Sequence, residues 1–293
     1  MAAVQTFDFS PLTAPVDKSA VAALRRESIT ENVQPAAIDD RFVFWMCLIT
    51  FVFDAALVVF IDTGFLALWV KIGVTAIMGS MGLFLFYGVV YSIYRLSVRW
   101  TQFFRAKEFA TANKMTYAVT ESKPTWDSLL FSSKAARSGA SNVFTATSEP
   151  VFEAGNYYYE NWSQKKLIRT DWGYAVVDLG RPVPPLMLRS TGRRSAKRWA
   201  LGAYSRNPIL PLGAYADRDF RLYCTAGAED EARRLFTPEL IAALRKVGRS
   251  VDVEVSGNFM FVYSTRRFPF PRPGSVRAVF SAISLVGSLS HAA

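Results

Sequence analysis

Two long runs of apolar residues near the start of the chain dominate its hydrophobic pattern. Residues 42–61 contain a single charged side chain, Asp54, and residues 65–93 contain a single one, Lys71. A helix rises about 1.5 Å per residue, so about 20 residues cross a hydrocarbon core of ~30 Å. Neither run carries the polar stripe at helical spacing that a helix of a soluble core shows. The pattern therefore predicts two transmembrane helices joined by the turn at residues 62–64, rather than a buried helical hairpin.

The charges that flank these runs predict their orientation. The connecting turn has no basic residue, whereas both outer flanks have several. Because basic residues stay preferentially on the cytoplasmic side, we expect a multi-pass protein of the cell (plasma) membrane with both termini in the cytoplasm. The flanking basic residues are Lys18, Arg25, Arg26 and Arg41 before the first run, and Arg95, Arg99, Arg105, Lys107 and Lys114 after the second.

Asp54 and Lys71, the two charges inside the runs, are spaced as a pair would be. Asp54 lies nine residues before Thr63 and Lys71 lies eight residues after it, so an antiparallel hairpin places both at matching depth. A charge at mid-bilayer costs roughly 2.5–3.5 kcal/mol, and pairing reduces this cost. We therefore predict an intramembrane ion pair between Asp54 and Lys71. The alternative is that Lys71 extends to the nearer interface while Asp54 is protonated.

Segments of different character lie on either side of the predicted membrane hairpin. Residues 1–41 contain three prolines and few large apolar side chains, which predicts a mobile cytoplasmic arm with a short helix near residues 19–28. Residues 94–114 contain no Gly or Pro and are expected to extend the second helix as a juxtamembrane stalk. The aromatic side chains of the stalk either lie at the lipid interface or pack on the folded domain, and both interpretations stay open. They are Trp100, Phe103, Phe104 and Phe109.

From residue 115 onward the pattern changes to short apolar and β-branched segments separated by turn residues. This pattern predicts a cytoplasmic domain, residues 115–293, of the α+β class with a mainly antiparallel sheet and two or three helices. Asp171-Trp172-Gly173 is interpreted as a hairpin connection. The predicted strands are residues 115–120, 143–147, 156–160, 166–170, 173–178, 186–190 and 220–224.

The last quarter of the chain has the clearest local signals. Thr237-Pro238 predicts the N-terminus of a helix that ends near Gly248. The alternating residues 251–264 predict two strands joined by a Gly257-Asn258 hairpin turn. Residues 275–290 carry apolar side chains at helical spacing and predict a closing amphipathic helix rather than a third membrane span.

Composition excludes several kinds of chemistry. Apolar residues make up 51% of the chain, and the mean hydropathy is +0.15, so the chain as a whole is not disordered. The two cysteines, Cys47 and Cys224, and the single histidine, His291, support neither a disulfide framework nor a histidine-based metal site or catalytic triad. No phosphate-loop, metalloprotease or nucleophile-elbow motif occurs. We therefore predict no catalytic residue, no cofactor and no metal site, and we interpret Cys224 as a buried hydrophobe.

The charge of the chain points to anionic lipid as a partner. The formal net charge is +10, to which residues 94–293, with 29 basic and 16 acidic side chains, contribute +13 and residues 1–93 contribute −3. With membrane helices predicted, inner-leaflet phosphates are the nearest anion, and nucleic acid is not an expected partner. The sequence leaves open whether the basic loop at residues 189–198 is functional or merely solvated. The lipid-contact candidates are Arg95, Arg99, Arg105, Lys107, Arg193, Arg194, Lys197 and Arg198.

Three hypotheses of function follow. The leading one is an integral membrane protein whose cytoplasmic domain is a binding or scaffolding module for a protein partner, a second copy of the chain or anionic lipid. An accessory subunit of a membrane transport assembly is an alternative. Another is an enzyme that uses a group of carboxylates for cation binding or proton transfer, although such residues also suit a solvated loop and a helix N-terminus. These carboxylates are Asp217, Asp219, Glu229, Asp230 and Glu231.

Several separated sequence blocks, in order, resemble a family of bacterial membrane proteins found mostly in actinobacteria. The blocks are FATANKMTYA (109–118), GNYYYEN (155–161), DWGYAVVDLGRPVPPLML (171–188), FRLYC (220–224), LFTPEL (235–240), DVEV (252–255) and FVYS (261–264). The resemblance spans roughly residues 42–265, and the basic loop at residues 192–198 departs from it. It implies two N-terminal membrane helices and a cytoplasmic α+β domain of unknown function. It implies no reaction, ligand or catalytic residue.

Overall fold

The computed structural model describes residues 6–30, 68–121, 123–132, 135–163, 165–192, 204, 206–248 and 250–290. The chain divides into two compact units. One consists of Asp17–Phe103, and the other of Met1–Val16 together with Phe104–Ala293. We call the second unit the sheet domain.

Two helices form the described part of the first unit. Helix α1 spans Lys18–Thr30, and the Asp17 carboxylate accepts hydrogen bonds from the Ser19 backbone N–H (2.8 Å) and hydroxyl (2.6 Å), which caps its N-terminus. The Arg25 guanidinium of α1 lies 5.9 Å from the centre of the Trp100 ring of helix α2. Trp100 is buried, which favours packing over the lipid-interface alternative for this side chain. The short helix expected near residues 19–28 is confirmed with slightly wider bounds.

Helix α2 spans Leu68–Ala112, so residues 68–93 of the second apolar run and residues 94–112 of the expected stalk belong to one continuous helix of 45 residues. The helix ends where Lys114 takes a positive φ of 56° and the Met115 N–H bonds the Ala110 carbonyl. Among the described residues, no helix combines the length and the apolar character that a membrane crossing requires. The run at residues 42–61 lies outside the described residues. The transmembrane hairpin therefore stays a prediction.

The sheet domain is built on one antiparallel sheet of nine strands, in the order β1-β2-β3-β4-β9-β8-β5-β7-β6. The predicted α+β class with a mainly antiparallel sheet is confirmed. The strands are β1 (Thr116–Glu121), β2 (Arg137–Ala146), β3 (Phe152–Ser163), β4 (Lys166–Asp178), β5 (Leu186–Ser190), β6 (Ile209–Leu210), β7 (Phe220–Cys224), β8 (Val251–Ser256) and β9 (Phe259–Ser264).

Three helices and the end of α2 cover one face of this sheet. They are α3 (Glu229–Leu235), α4 (Pro238–Val247) and α5 (Pro273–Ser290). The Thr237 hydroxyl accepts the Leu240 N–H at 3.3 Å, and the backbone N–H of Gly248 bonds the Leu244 carbonyl, so the helix start and end predicted here are confirmed. The apolar side of α5, which includes Val276, Phe280 and Ile283, is buried in this helix-side core.

A loop covers part of the opposite face. Phe131, from the connection between β1 and β2, lies with its ring 5.0 Å from that of Tyr157 and 5.2 Å from that of Tyr174. With Trp172 and Tyr263 these side chains form a second, aromatic core. The sheet is thus buried on both faces over its central strands, which explains why residues 172–177 of β4 and residues 259–263 of β9 carry almost only apolar and aromatic side chains.

The structure corrects the expected hairpin at Asp171-Trp172-Gly173. Strand β4 runs without interruption from Lys166 to Asp178, and its chain reversal with β3 lies between Ser163 and Lys166. Gly173 has a packing role instead, because a Cβ added there would lie 2.7 Å from the Phe268 ring. The Gly257-Asn258 turn joins β8 and β9 as predicted.

Of the mobile arm predicted at residues 1–41, residues 6–16 belong to the sheet domain and pack on its helix-side core, and we call them the N-terminal segment. Phe7 and Leu12 are buried in the helix-side core, and the Phe7 ring centre is 5.1 Å from that of Phe280. The Asn113 side chain forms two hydrogen bonds with the backbone of Asp8: it accepts the Asp8 N–H at 2.8 Å and donates to the Asp8 carbonyl at 2.9 Å. Burial of a Phe or Leu side chain contributes about 1.5–3 kcal/mol, so Phe7 and Leu12 stabilise the packing of this proline-containing segment on the core.

Candidate functional site

Strand β8 presents two acidic side chains to the face of the sheet opposite the helices. The valines of β8 alternate along the strand and enter the helix-side core, so Asp252 and Glu254 point to the other face. Asp252 is 0% exposed and Glu254 is 3% exposed. The Asp252 carboxylate accepts the Ser190 N–H at 2.8 Å and so joins β8 to the end of β5. A buried carboxylate needs hydrogen bonds to offset the free-energy cost of removing it from water. The residues that hydrogen-bond Glu254 form the candidate site.

Glu254 accepts hydrogen bonds from three separate parts of the fold. Its Oε2 accepts the Tyr263 hydroxyl of the neighbouring strand at 2.8 Å and the Leu129 N–H of the covering loop at 3.1 Å. The Tyr204 hydroxyl lies 3.3 Å from its Oε1 and 3.3 Å from the Val255 carbonyl. The register of the β8–β9 pair brings Tyr263 to this side of the sheet, because it stands opposite Asp252 and two residues from the partner of Glu254.

Burial has the largest effect on the pKa of Glu254 and of the two tyrosines that donate to it. It raises the pKa of Glu254, and the nearby Asp127 carboxylate adds to the rise, while the hydrogen bonds from Tyr263, Leu129 and Tyr204 oppose it. Burial, with the Glu254 charge next, also raises the pKa of both Tyr263 and Tyr204 well above the ordinary value for tyrosine. Both hydroxyls therefore remain protonated donors at neutral pH.

Glu254 lies in the wall of a cleft of about 430 Å³. Asp127 supplies a second carboxylate to its lining, and the other polar groups are mostly hydroxyls and an amide. The Thr225 hydroxyl donates to the Pro185 carbonyl at 3.1 Å and accepts an N–H of the Asn207 side-chain amide at 3.4 Å, which leaves one lone pair of its oxygen. The lining residues are Asp127, Ser128, Leu129, Ser132, Pro185, Tyr204, Asn207, Thr225, Glu254 and Ser256.

The cleft is lined by more hydrogen-bond acceptors than donors. The two carboxylates carry up to two negative charges, and none of the ion pairs among the described residues involves Asp127 or Glu254. A cationic or donor-rich group placed in the cleft would relieve the repulsion between the two carboxylates and the desolvation cost of Glu254 together. The arrangement suits the binding of such a group.

The carboxylates that the sequence brought forward for enzyme chemistry are dispersed. Asp217 accepts the N–H groups of Leu212 and Gly213, each at 3.0 Å, and closes a local turn. Asp219 forms a 2.8 Å ion pair with Arg245, and Glu231 pairs with Arg181. Glu229 and Asp230 belong to the first turn of α3, where the helix dipole favours acidic side chains. Over the described ranges, no three or more His, Cys, Asp or Glu side chains are grouped so that they could hold a metal ion.

Cys224 is 1% exposed in the helix-side core, and burial raises the pKa of its thiol. A buried thiol with a raised pKa is a poor nucleophile. The interpretation of Cys224 as a small buried hydrophobe is confirmed.

Most of the predicted membrane-related residues stay predictions. Asp54 and the basic loop residues Arg193, Arg194, Lys197 and Arg198 lie outside the described residues, as do the side chains of Lys71 and Arg95. Of the others, Lys107 is exposed and Arg99 half-buried. The guanidinium of Arg105 donates to the Ala14 carbonyl at 3.1 Å, so it ties the N-terminal segment to α2.

Nothing in the local sequence pattern predicts the cleft. Asp252 and Glu254 alternate with valines, and such alternation normally marks a solvent-facing side of a strand. Tyr204 and Asp127 come from loops distant in sequence, and local patterns carry no information about where such loops fold. The one sequence feature that indicates a buried polar site here is the pair of acidic residues in a strand otherwise rich in valine.

Comparisons with known proteins place the chain in no family. No family model matches the sequence, and no curated protein matches it. A solved structure with some likeness is the crystal structure of the mycobacterial trehalose monomycolate transport factor A, TtfA. It shares 14% sequence identity, and the alignment covers 63% of this chain and 93% of that chain with a TM-score of 0.37. A likeness of this degree assigns neither a family nor an activity to the chain.

Proposed function

We propose that this chain is a membrane-anchored binding protein whose cytoplasmic sheet domain receives a basic side chain of a protein partner in the Glu254 cleft. The observation that carries the proposal is the pair of carboxylates, Asp127 and Glu254, that share one cleft without an ion pair among the described residues. The cleft is acidic within a region whose net charge is +13, from 29 basic and 16 acidic side chains.

The physical case for a cationic group rests on desolvation and repulsion. Burial raises the pKa of Glu254 and the nearby Asp127 carboxylate adds to the rise, so an incoming ammonium or guanidinium would favour the ionised form of Glu254. The guanidinium of arginine suits the site well because its planar set of donors matches carboxylate oxygens. The hydroxyls of Ser132 and Thr225 and the amide of Asn207 supply further acceptors for the remaining N–H groups.

Membrane anchorage is supported by the sequence pattern. Two apolar runs with one charge each, flanked by basic residues, are typical of a helical hairpin with both ends in the cytoplasm. The described helix α2 contains most of the second run and ends, through Phe109 and Ala110, in the core of the sheet domain. One helix thus belongs to the proposed anchor and to the binding domain.

A binding role has more support than an enzymatic one. The carboxylates from Asp217 to Glu231 each serve a separate turn, ion pair or helix terminus, so they do not form an acid–base pair. The buried Glu254 is held by two tyrosine hydroxyls and a backbone N–H that stay protonated, and proton transfer needs a partner that changes its protonation state.

Site-specific photocrosslinking in cells tests the proposal. A benzophenone amino acid at Ser132, an exposed residue of the cleft, should crosslink a partner at or beside a lysine or arginine, as mass spectrometry of the crosslinked peptide would show. Asp127→Asn should lower the yield several-fold, because it removes one of the two charges that attract the cation.

Two controls make this test decisive. The same probe at Ser148, exposed in another connection, should give no such product, and Asp230→Asn, which removes an exposed charge outside the cleft, should leave the yield unchanged. Equal yields from wild type and Asp127→Asn would overturn the proposal, as would a crosslinked peptide with no basic residue near the attachment point.

A further inference from the structure

The ends of strands β3 and β4 extend beyond the rest of the sheet. Strand β2 pairs with β3 only as far as Glu160, and β9 pairs with β4 only from Gly173 onward. Residues 161–163 and 166–168 therefore pair only with each other, as the register Asn161↔Ile168 and Trp162↔Leu167 shows. We call these six residues with Lys165 the tip hairpin.

Large apolar side chains are exposed on the tip hairpin. Trp162 is 69% exposed and Ile168 is 49% exposed, so one short hairpin carries two large exposed apolar side chains. Strand pairing alone gives such a projection little stability, and exposing an indole costs solubility. Neither side chain contributes to the two cores of the domain. Both side chains are therefore available for a contact outside the domain.

The apolar groups lie on both faces of the projecting ribbon. Trp162 and its partner Leu167 lie on one face, and Ile168, one residue further along, lies on the other. A protein surface that packs against the tip hairpin would bury only one face of the hairpin. The interfacial region of a lipid bilayer surrounds an inserted segment and would bury both faces.

The positive charges of the tip hairpin favour anionic lipid. Lys165 and Lys166 are exposed at the chain reversal, and neither takes part in an ion pair among the described residues. Tryptophan and lysine together are typical of side chains at the headgroup level, where the indole sits among the headgroups and the ammonium reaches phosphates. Arg169, by contrast, is held by Asp171 at 3.1 Å.

We propose that the tip hairpin inserts into the headgroup region of an anionic bilayer, with Trp162 and Ile168 as apolar anchors and Lys165 and Lys166 on lipid phosphates. The proposal rests on the proposed membrane placement of the chain. It adds a second membrane contact made by the sheet domain itself. Such a contact would orient the domain against the bilayer surface and reduce the freedom of the Glu254 cleft to approach its partner.

The test uses the full chain reconstituted in phosphatidylcholine vesicles with and without phosphatidylglycerol. A cysteine introduced by Ser163→Cys is labelled with a membrane-impermeant maleimide carrying an environment-sensitive fluorophore, so only outward-facing domains report. In anionic vesicles we expect blue-shifted emission and quenching by nitroxide-labelled lipid. The same label at Ser148→Cys, at the opposite end of β3, should show neither effect, and the unaltered chain sets the background from its native cysteines.

Variants separate the two parts of the contact. Lys165→Gln and Lys166→Gln should each lower the inserted fraction relative to the free one about fivefold, and added salt should have the same effect on wild type. Trp162→Ala should abolish lipid quenching, and Lys246→Gln, an exposed lysine elsewhere, should change nothing.

Three outcomes would overturn the inference. The first is equal emission of the label at position 163 in neutral and anionic vesicles. The second is lipid quenching that Trp162→Ala leaves unchanged. The third is a blue shift without lipid quenching, which would indicate a protein contact instead. Retention of the chain in vesicles after an alkaline carbonate wash is measured in the same samples. Loss of the chain at this step contradicts the proposed anchorage, whereas a retained chain with an unquenched tip contradicts only the tip contact.

Discussion

Phe268 shows how single residues of the sheet domain are used for close packing. Its ring lies over Gly173, and the Asn156 side chain, on the strand beside Gly173, donates to the Phe268 carbonyl at 3.1 Å and accepts its N–H at 2.6 Å. Asn156 and Gly173 are paired across β3 and β4, so one residue pair holds both the backbone and the ring of Phe268. The glycine that resembles a turn residue in the sequence is a packing residue in the fold.

Gly173→Ala should therefore destabilise the protein. A Cβ at this position would lie 2.7 Å from two ring atoms of Phe268, and relieving such an overlap costs about 1–3 kcal/mol of the free energy of unfolding. Denaturant or thermal unfolding measures the loss. Gly274→Ala, where an added Cβ meets nothing within 4 Å, should not reproduce it. Similar stability of the two variants would contradict the packing role of Gly173.

Glu254 should make stability depend on pH in a direction opposite to that of an ion-paired carboxylate. Its pKa in the folded protein is raised above the ordinary value of 4.5, so the folded state binds this proton more tightly than the unfolded state. Its contribution is then fully present below the unfolded pKa and is lost as the pH rises towards the folded pKa. Unfolding followed from pH 4 to pH 7 should show this decrease, and Glu254→Gln should reduce it.

The same variant tests the hydrogen bonds of Glu254. An amide cannot accept from all three donors, so Glu254→Gln should cost about 1–3 kcal/mol at the acidic end of the range, with a smaller difference near neutral pH. Glu239→Gln is the matched control, because the pKa of Glu239 is lowered by hydrogen bonds at the start of α4 and its contribution is lost as the pH falls. A difference between wild type and Glu254→Gln that grows with pH would be inconsistent with a raised pKa.

At the scale of elements, helix α2 joins parts of the chain with different composition. It begins in the second apolar run and ends where Phe109 packs against Phe144 at 5.8 Å and Phe280 at 5.1 Å. The N-terminal segment adds Phe9, whose ring stacks on Phe109 at 5.7 Å. For Phe109, the structure favours packing on the folded domain over contact with lipid.

The charges inside the two apolar runs allow a test of the predicted helical hairpin. If Asp54 and Lys71 pair within the membrane, Asp54→Leu and Lys71→Leu should each lower the amount of inserted protein, because each leaves one charge costing roughly 2.5–3.5 kcal/mol at mid-bilayer. The double Leu variant should recover most of the loss, as a double-mutant cycle on membrane-fraction yield would show. A double variant as impaired as the two single losses combined would mean that the residues are not a pair.

At the scale of the whole molecule, the distribution of basic residues predicts a topology. Both flanks of the apolar runs contain several Lys and Arg residues and the turn between them contains none, so we expect the N-terminus and the sheet domain on the cytoplasmic side. Fusions at Ala293 should be active with a reporter that works in the cytosol and inactive with one that works only outside the membrane. Activity of the external reporter would place the Glu254 cleft on the opposite side and exclude a cytoplasmic partner.

Local patterns in the sequence determined much of the framework of this protein. The α+β class, the start of α4 at Thr237-Pro238, the β8–β9 turn and the closing helix α5 all follow from capping residues, turn residues and periodicity, which act within a few residues. The predicted membrane hairpin has the same origin, since it depends only on the length and charge of each run.

The tertiary structure alone decided the features that depend on contacts between distant segments. Gly173 reads as a turn until Phe268 is known to lie on it, and the N-terminal segment reads as mobile until the core that receives Phe7 is known. The acidic residues of β8 read as a solvated face until the covering loop and Tyr204 bury Glu254. In each case the burial and polar partners come from segments many residues away, and neither spacing nor composition records which distant segments will meet.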